Sequence, residues 1–170
     1  RYRVTFMGPG GHSWGAFGLA NPQHALGRAI ALFDENATAV TATGPRASYN
    51  VGRIGGGTSI NSIPFEAWME IDMRSESPAA LDEIDAILLG AVADGLAEEN
   101  AARLHGDSLR VEVERIGTRP SGSIAEDAPL VQRAVAATRA LGRLPSLGRS
   151  STSIPASRQA LDTRLWILMP

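Results

Sequence analysis

The stretch that decides the fold is residues 65–74, which read Phe-Glu-Ala-Trp-Met-Glu-Ile-Asp-Met-Arg. Apolar side chains occupy every odd-numbered position, and charged side chains occupy all but one of the even-numbered positions. This alternation is typical of a β-strand that has one buried face and one wet face. The stretch therefore predicts a strand in an antiparallel sheet that is covered on one side only.

Three further strands are predicted, two before this stretch and one after it. Tyr2, Val4 and Phe6 alternate with polar residues at the start of the chain. A second strand is predicted over residues 47–54. A fourth is predicted over residues 109–113, where apolar residues again occur at every second position. Period-two patterns of this kind indicate strands that are half buried.

Two amphipathic helices are predicted between these strands. Asn21-Pro22 and Ser77-Pro78 each place an N-capping side chain before a proline, which suits the first helical position. Apolar residues follow both at helical spacing. We expect the first helix to stop near residues 35–36 and the second to end near residues 98–99, where the sequence becomes charged.

The order strand, helix, strand, strand, helix, strand predicts an α+β fold of the ferredoxin-like βαββαβ type. In this fold a four-stranded antiparallel sheet carries two helices on one face. We assign this domain to residues 1–119. Residues 120–170 are expected to add a linker and a partial C-terminal piece, with one helix from Pro129 to Gly142. One helix is too little to build a separate core.

Composition excludes several classes of protein. The formal net charge is −2, so no nucleic-acid or anionic-membrane surface is expected. The chain has no Cys, which excludes disulfides, thiolate metal sites and thiol nucleophiles. No apolar run reaches the roughly 20 residues that span a bilayer, and the start does not resemble a signal peptide. We therefore expect a cytoplasmic protein.

His12 is the first candidate functional residue. It lies in the stretch Gly-Pro-Gly-Gly-His-Ser-Trp at residues 8–14, which predicts a tight exposed turn rather than regular structure. A neutral imidazole there can donate a hydrogen bond to an oxyanion or act as acid or base. The alternative is a solvated loop histidine. We expect Trp14, Phe17 and Leu19 to pack this loop onto its own domain; the alternative is that they make apolar contacts near His12.

Asn61 and Arg74 are the other two candidates. Asn61 precedes the central strand and, taken alone, suits a turn-forming role. Arg74 ends that strand on its wet face, where it could form a surface ion pair with Asp72 or Glu76, or clamp a carboxylate. Each of these residues stands beside a turn or strand end, so together they could form a polar site.

The remaining polar groups do not predict a catalytic centre. His24 and His105 are expected at the surface, and no metal-binding motif joins the histidines. A metal site made only from this chain is therefore not expected. The hydroxyls at residues 150–152 have no evident His-Asp pair to activate them.

Three segments together resemble the M20 metallopeptidase family, which includes glutamate carboxypeptidase, acetylornithine deacetylase and aminoacylase relatives. They are Gly-Pro-Gly-Gly-His-Ser at residues 8–13, Gly-Gly-Thr-Ser-Ile-Asn-Ser-Ile-Pro at residues 56–64 and Glu-Ile-Asp-Met-Arg-Ser at residues 70–75. They occur in the order of the family. The resemblance covers about the first 120 residues and corresponds to the family's lid or dimerisation domain, which has the same βαββαβ fold. It implies that residues 120–170 are a linker and a partial C-terminal piece of the family's catalytic domain.

The resemblance implies the function of the intact parent enzyme. A catalytic domain with two zinc ions would hydrolyse a peptide or N-acyl amide bond next to a free carboxylate, with a metal-bound water as nucleophile and a Glu as general base. The lid domain would form a homodimer, in which His12 stabilises the oxyanion in the partner's active site. Asn61 and Arg74 would hold the carbonyl and the carboxylate of the substrate.

The sequence also departs from the family. The zinc ligands and the catalytic Glu have no counterpart, and the segment Ser-Ser-Thr-Ser-Ile-Pro at residues 150–155 lacks the Asp and Asn that the family has there. We therefore expect this chain alone to bind no catalytic zinc, to be inactive and to self-associate. The alternatives are a stand-alone ferredoxin-like module, which binds a small carboxylate or a partner peptide without enzymatic activity, and a non-functional relic.

Overall fold

A computed structural model describes residues 1–118 and 124–147 of the chain. The chain divides into two compact units, Arg1–Ser121 and Gly122–Pro170. The residues at 150–155, on which part of the sequence argument rests, lie outside the described ranges. Within those ranges no helix is both long and apolar enough to cross a membrane.

The first unit contains six strands and two long helices among its described residues, and the second contains one helix. In chain order the elements are β1 (Tyr2–Met7), β2 (Gly11–His12), α1 (Pro22–Thr41), β3 (Ala47–Gly56), β4 (Ser62–Ile63), β5 (Glu66–Ser75), α2 (Pro78–Ala102), β6 (Arg110–Arg115) and α3 (Pro129–Ala140).

The main sheet has four strands in the order β3-β5-β1-β6, and all neighbours are antiparallel. The strand β1 lies between β5 and β6, and its register with β5 places Met7 opposite Glu66 and Tyr2 opposite Ile71. Helices α1 and α2 pack on one face of the sheet. The predicted α+β fold is therefore confirmed, with the two edge positions taken by β3 and β6.

The core lies between this sheet and the two helices. Along β5 the burial alternates as the sequence predicts, with Ala67, Met69 and Ile71 almost fully buried. Phe65 is an exception, because it precedes the strand, is 70% exposed and lies over Gly10. The expectation that Phe65 shares the buried face is therefore wrong.

Both helices extend beyond their predicted ends. Helix α1 continues to Thr41 because its buried stripe continues through Phe33 to Ala37. Helix α2 continues to Ala102, beyond residues 98–99 where its end is predicted. This Glu99 is 5% exposed and accepts a hydrogen bond of 2.9 Å from the backbone N–H of Asn21, so its carboxylate is used to bind the start of α1.

Helix α3 forms where the sequence predicts it. It begins at Pro129, and its buried residues Val131, Val135 and Thr138 lie along one face. Gly142 follows with φ near +72°, the left-handed conformation that commonly ends a helix.

Helices α1 and α2 approach each other closely at Gly95. A Cβ at this position would lie 2.8 Å from the backbone nitrogen of Ala29 and 3.0 Å from the carbonyl oxygen of Ala25. Backbone atoms cannot rotate away, so any side chain here would push the helices apart. The small residues Ala25 and Ala29 face this glycine and make the close approach possible.

We expect Gly95→Ala to lower the free energy of unfolding by about 1–3 kcal/mol, because it overpacks this contact. Gly90→Ala in the same helix is the matched control, since a Cβ there meets nothing within 4 Å. It should raise stability by up to about 1 kcal/mol, the usual gain in helix propensity. Urea unfolding measures both, and a Gly95→Ala variant as stable as Gly90→Ala would contradict the packing argument.

Candidate functional site

A small ribbon brings His12 and Asn61 to the same end of the domain. Strand β2 pairs with β4, so that His12 lies opposite Ser62, and the N–H of Ser13 donates to the carbonyl oxygen of Asn61 at 2.9 Å. The glycine stretch around His12, predicted as a turn without regular structure, thus contributes two residues to a strand before the turn begins. The reason is that the backbone of residues 11–12 pairs with residues 62–63, about fifty positions further along the chain.

The imidazole of His12 is held in one orientation by the backbone that follows it. Its Nδ1 accepts hydrogen bonds from the N–H of Trp14 at 3.3 Å and of Gly15 at 3.4 Å. An Nδ1 that accepts must be unprotonated, so the neutral ring carries its proton on Nε2. Among the described residues no group bonds to Nε2, and the residue is exposed. The arrangement presents an Nε2–H donor to whatever approaches this end of the domain.

The side chain of Asn61 is exposed beside this ribbon. Its Oδ1 accepts a hydrogen bond from the hydroxyl of Ser59. This bond leaves the carboxamide N–H groups as its outward donors. His12 and Asn61 therefore offer two uncharged donors at one end of the domain, the kind of groups that stabilise a polarised carbonyl oxygen.

The apolar residues around His12 do not all pack as expected. Trp14 is 89% exposed and Phe17 is 75% exposed, so neither of them packs on the domain. Leu19 does pack, since its side chain lies over Gly106. The expectation for these three residues is thus wrong for the first two and right for the third.

Arg74 lies at the opposite end of the sheet. It is eight residues along β5 from Glu66, about 26 Å at the usual rise of a strand, and it is opposite Ser48 of β3. The ribbon with His12 continues from the Glu66 end, where the N–H of Gly8 donates to the carbonyl oxygen of Phe65. The described structure of one chain therefore brings two of the three candidate residues together and separates the third.

The guanidinium of Arg74 forms the ion pair with Asp72 that the sequence suggested. Its Nε lies 2.5 Å from Oδ2 of Asp72, whose other oxygen receives Nε of Arg1 at 2.6 Å. Burial raises the pKa of Asp72, but the hydrogen bonds from Arg1 and Arg74 outweigh it and bring the pKa below its ordinary value of 3.8. Asp72 thus fixes the direction of the Arg74 side chain.

The remaining histidines have distinct surroundings. His24 is exposed, with Nδ1 3.7 Å from Glu99. His105 is exposed too, but its Nε2 lies 3.0 Å from the carbonyl oxygen of Phe17, within the turn that follows His12. Within residues 1–118 and 124–147, no group of three or more His, Asp or Glu side chains lies close enough to hold a metal ion.

Part of this arrangement follows from the register of the main sheet, which the sequence alone does not give. If the pairing of Met7 with Glu66 is continued outward, residue 12 falls opposite residue 61, one residue from the observed partner Ser62. The contact between His105 and Phe17 had no such signal, because the two residues are 88 positions apart in loops.

Comparison with known proteins agrees with the resemblance found in the sequence. The family model described as the peptidase dimerisation domain of M20 enzymes matches residues 1–100. The chain belongs to the M20 family. A search of curated protein sequences returned no significant match.

Solved structures share the fold of this M20 domain. An amidase of the hydantoinase/carbamoylase family from Burkholderia vietnamiensis superposes with a TM-score of 0.67 at 24% identity, over 84% of this chain and 32% of that one. The aminopeptidase PepT from Bacillus cereus gives a TM-score of 0.65 at 22% identity, over 89% and 38%. A tripeptidase from Staphylococcus aureus gives 0.61 at 19%, over 84% and 35%. The chain thus spans about a third of the length of these structures.

We expect the stability contribution of Asp72 to depend on pH. Its folded-state pKa is below the unfolded value, so the contribution is fully present above about pH 4 and is lost as the pH falls through the lower folded-state pKa. Asp72→Asn should therefore cost roughly 0.5–1 kcal/mol at pH 7, the upper part of the range for ion pairs near the surface, and less at pH 3. Urea unfolding at both pH values measures this difference.

Asp94→Asn is the control, because Asp94 is an exposed acidic residue of helix α2. Its effect should be small at both pH values. A cost of Asp72→Asn that stays constant or grows towards acid would contradict the assignment.

Proposed function

We propose that this chain is the dimerisation domain of a metal-dependent M20 hydrolase that cleaves a peptide or N-acyl amide bond next to a free carboxylate. In this proposal the domain self-associates through β3. His12 and Asn61 of one protomer then act at the same site as Arg74 of the other. The proposal is supported above all by the separation of these residues to opposite ends of one sheet.

The two edges of the sheet differ in their suitability for pairing with a second copy. Edge strand β6 has six residues, four of them charged, which is a common protection against edge-to-edge association. Edge strand β3 has ten residues with a single charge, Arg53, and that side chain is bound to Glu70 at 2.8 Å. A long edge with little charge favours association. Ile54 of β3 is also 64% exposed on the side where the helices lie.

Two-fold pairing of β3 would bring the separated residues to one end. The C-terminal end of β3 is beside the His12 ribbon, since Gly56 lies opposite Ala67, and its N-terminal end is beside Arg74, since Ser48 lies opposite it. Across a two-fold axis an edge strand pairs antiparallel with its own copy. The end that carries His12 in one protomer would therefore adjoin the end that carries Arg74 in its partner.

The chemistry of the three side chains fits an amide substrate with a carboxylate. The Nε2–H of His12 and the carboxamide of Asn61 are donors suited to a carbonyl oxygen that becomes an oxyanion. The guanidinium of Arg74, oriented by Asp72, suits recognition of a carboxylate. These three side chains would orient the substrate while its amide bond is hydrolysed.

The metal of such an enzyme would not be held by the described part of this chain. No suitable group of side chains occurs there, so we assign no step through a metal to these residues. Two zinc ions would belong to the catalytic domain of the parent enzyme, where metal ions activate water for hydrolysis.

The self-association part of the proposal predicts that the wild-type chain is a dimer in sedimentation equilibrium. Ile54→Lys places a charge at the proposed β3 interface and should give a monomer. Val113→Lys is the matched control, because Val113 is an exposed apolar residue on the same side of the other edge strand, opposite Val4. It should remain a dimer. A monomeric wild type, or a dimer lost only in Val113→Lys, would refute a dimer interface at β3.

The shared site predicts subunit complementation in the parent, where this domain is joined to its catalytic domain. Homodimers of His12→Ala and of Arg74→Ala should both be nearly inactive. Their mixture should recover about a quarter of the wild-type activity, since half of the dimers are hybrids and each hybrid has one intact site. A site built within one chain predicts no recovery, so absence of recovery would contradict the shared site. The homodimer of the double variant His12→Ala/Arg74→Ala, which has no intact site, is the zero-activity control.

A further inference from the structure

The turn that carries His12, residues 12–18, has little packing of its own. Its two large side chains, Trp14 and Phe17, are largely exposed, and a Cβ on Gly15 would meet no atom within 4 Å. Hydrophobic burial therefore contributes little to its conformation. The turn depends on hydrogen bonds, among them the 2.8 Å bond from the N–H of Ala16 to the carbonyl oxygen of His12.

The loop between α2 and β6, residues 103–109, fastens the far end of this turn. The N–H of Leu104 donates to the carbonyl oxygen of Gly18 at 2.8 Å. One residue on, Nε2 of His105 lies 3.0 Å from the carbonyl oxygen of Phe17, so the ring donates its Nε2–H there. Gly18 has φ near +103°, and a Cβ there would lie 3.0 Å from Cβ of Leu104, so the two segments are in close contact.

This loop is itself fixed by side chains that bond to its backbone. The carboxamide of Asn100 receives the N–H of Leu109 at 2.7 Å and donates to the carbonyl oxygen of the same residue at 3.2 Å. Arg103 donates to the carbonyl oxygens of Asn100 and Gly106. The loop can therefore serve as an anchor, because its own conformation does not depend on the His12 turn alone.

We infer that His105 is a positioning residue for His12. By holding Phe17, it keeps the N–H groups of Trp14 and Gly15 directed at Nδ1 of His12. The proton of the His12 ring then stays on Nε2, where it is available as a donor. The use of that donor in catalysis rests on the proposed function. The hydrogen bond from His105 to Phe17, and its effect on the His12 ring, are properties of this chain by itself.

The test uses the isotope-labelled 170-residue chain. Long-range proton–nitrogen spectra of the imidazole rings report the tautomer of His12, and hydrogen exchange reports the N–H groups of Trp14 and Gly15. His105→Ala and His105→Phe both remove the donor, but Phe retains a ring in the same place. We expect both variants to lower the Nε2–H fraction of His12 and to speed exchange of the two N–H groups about fivefold, the change expected from losing one hydrogen bond.

Two further variants separate positioning from general stability. His105→Gln retains an N–H donor and should restore the wild-type tautomer and exchange rates at least in part. His24→Ala removes a different exposed histidine, beside Glu99 at the start of α1, and should leave the His12 spectrum unchanged. Exchange of core amides in β1 serves as the measure of global unfolding and should be the same in all four variants.

Three results would overturn the inference. One is a His12 tautomer that is unchanged in His105→Ala and His105→Phe, and another is an equal change in His24→Ala. The third is exchange that rises equally in β1 and in the turn, which would make His105 a residue of general stability. These results are independent of the complementation experiment. Complementation without a spectral change would refute only the positioning role of His105. A spectral change without complementation would refute only the shared site.

Discussion

The antiparallel pairing of β1 with β5 is the constraint on which the rest of this domain depends. It fixes Met7 opposite Glu66, so the glycine-rich segment that leaves β1 and the one that enters β5 must emerge side by side. The same pairing sends the other end of β5, with Arg74, to the far side of the sheet. One register thus joins His12 to Asn61 and separates both from Arg74.

The contacts around the helices keep the His12 end of the sheet in place. Gly95 allows α2 to approach the backbone of α1, and Glu99, one turn later, binds the N–H of Asn21 where α1 begins. Asn21 in turn caps α1 by accepting from the N–H of Gln23. The segment between β2 and α1 is therefore bounded by the short ribbon on one side and by a fixed helix start on the other. A turn with exposed side chains can keep one conformation because both of its ends are held.

Much of the fold follows from local patterns in the sequence, and the site follows less completely. The alternation over residues 65–74 predicts β5, and the caps at Asn21 and Ser77 predict where the helices begin. Local patterns fail where a distant partner changes the outcome. Glu99 lies where the second helix was predicted to end, but it is buried and accepts a hydrogen bond from the N–H of Asn21. Phe65 was predicted on the buried face but lies over Gly10 outside the strand.

The sequence by itself determined the order of elements and the three candidate side chains, because period, capping and motif are properties of neighbouring residues. Only the tertiary structure decided which candidates meet. His12 and Asn61 adjoin because two segments about fifty residues apart pair as a ribbon, and Arg74 is distant because about 26 Å of strand lies between. The tautomer of His12 was also decided at this level, since it depends on two backbone N–H groups whose direction is set by the fold of the turn.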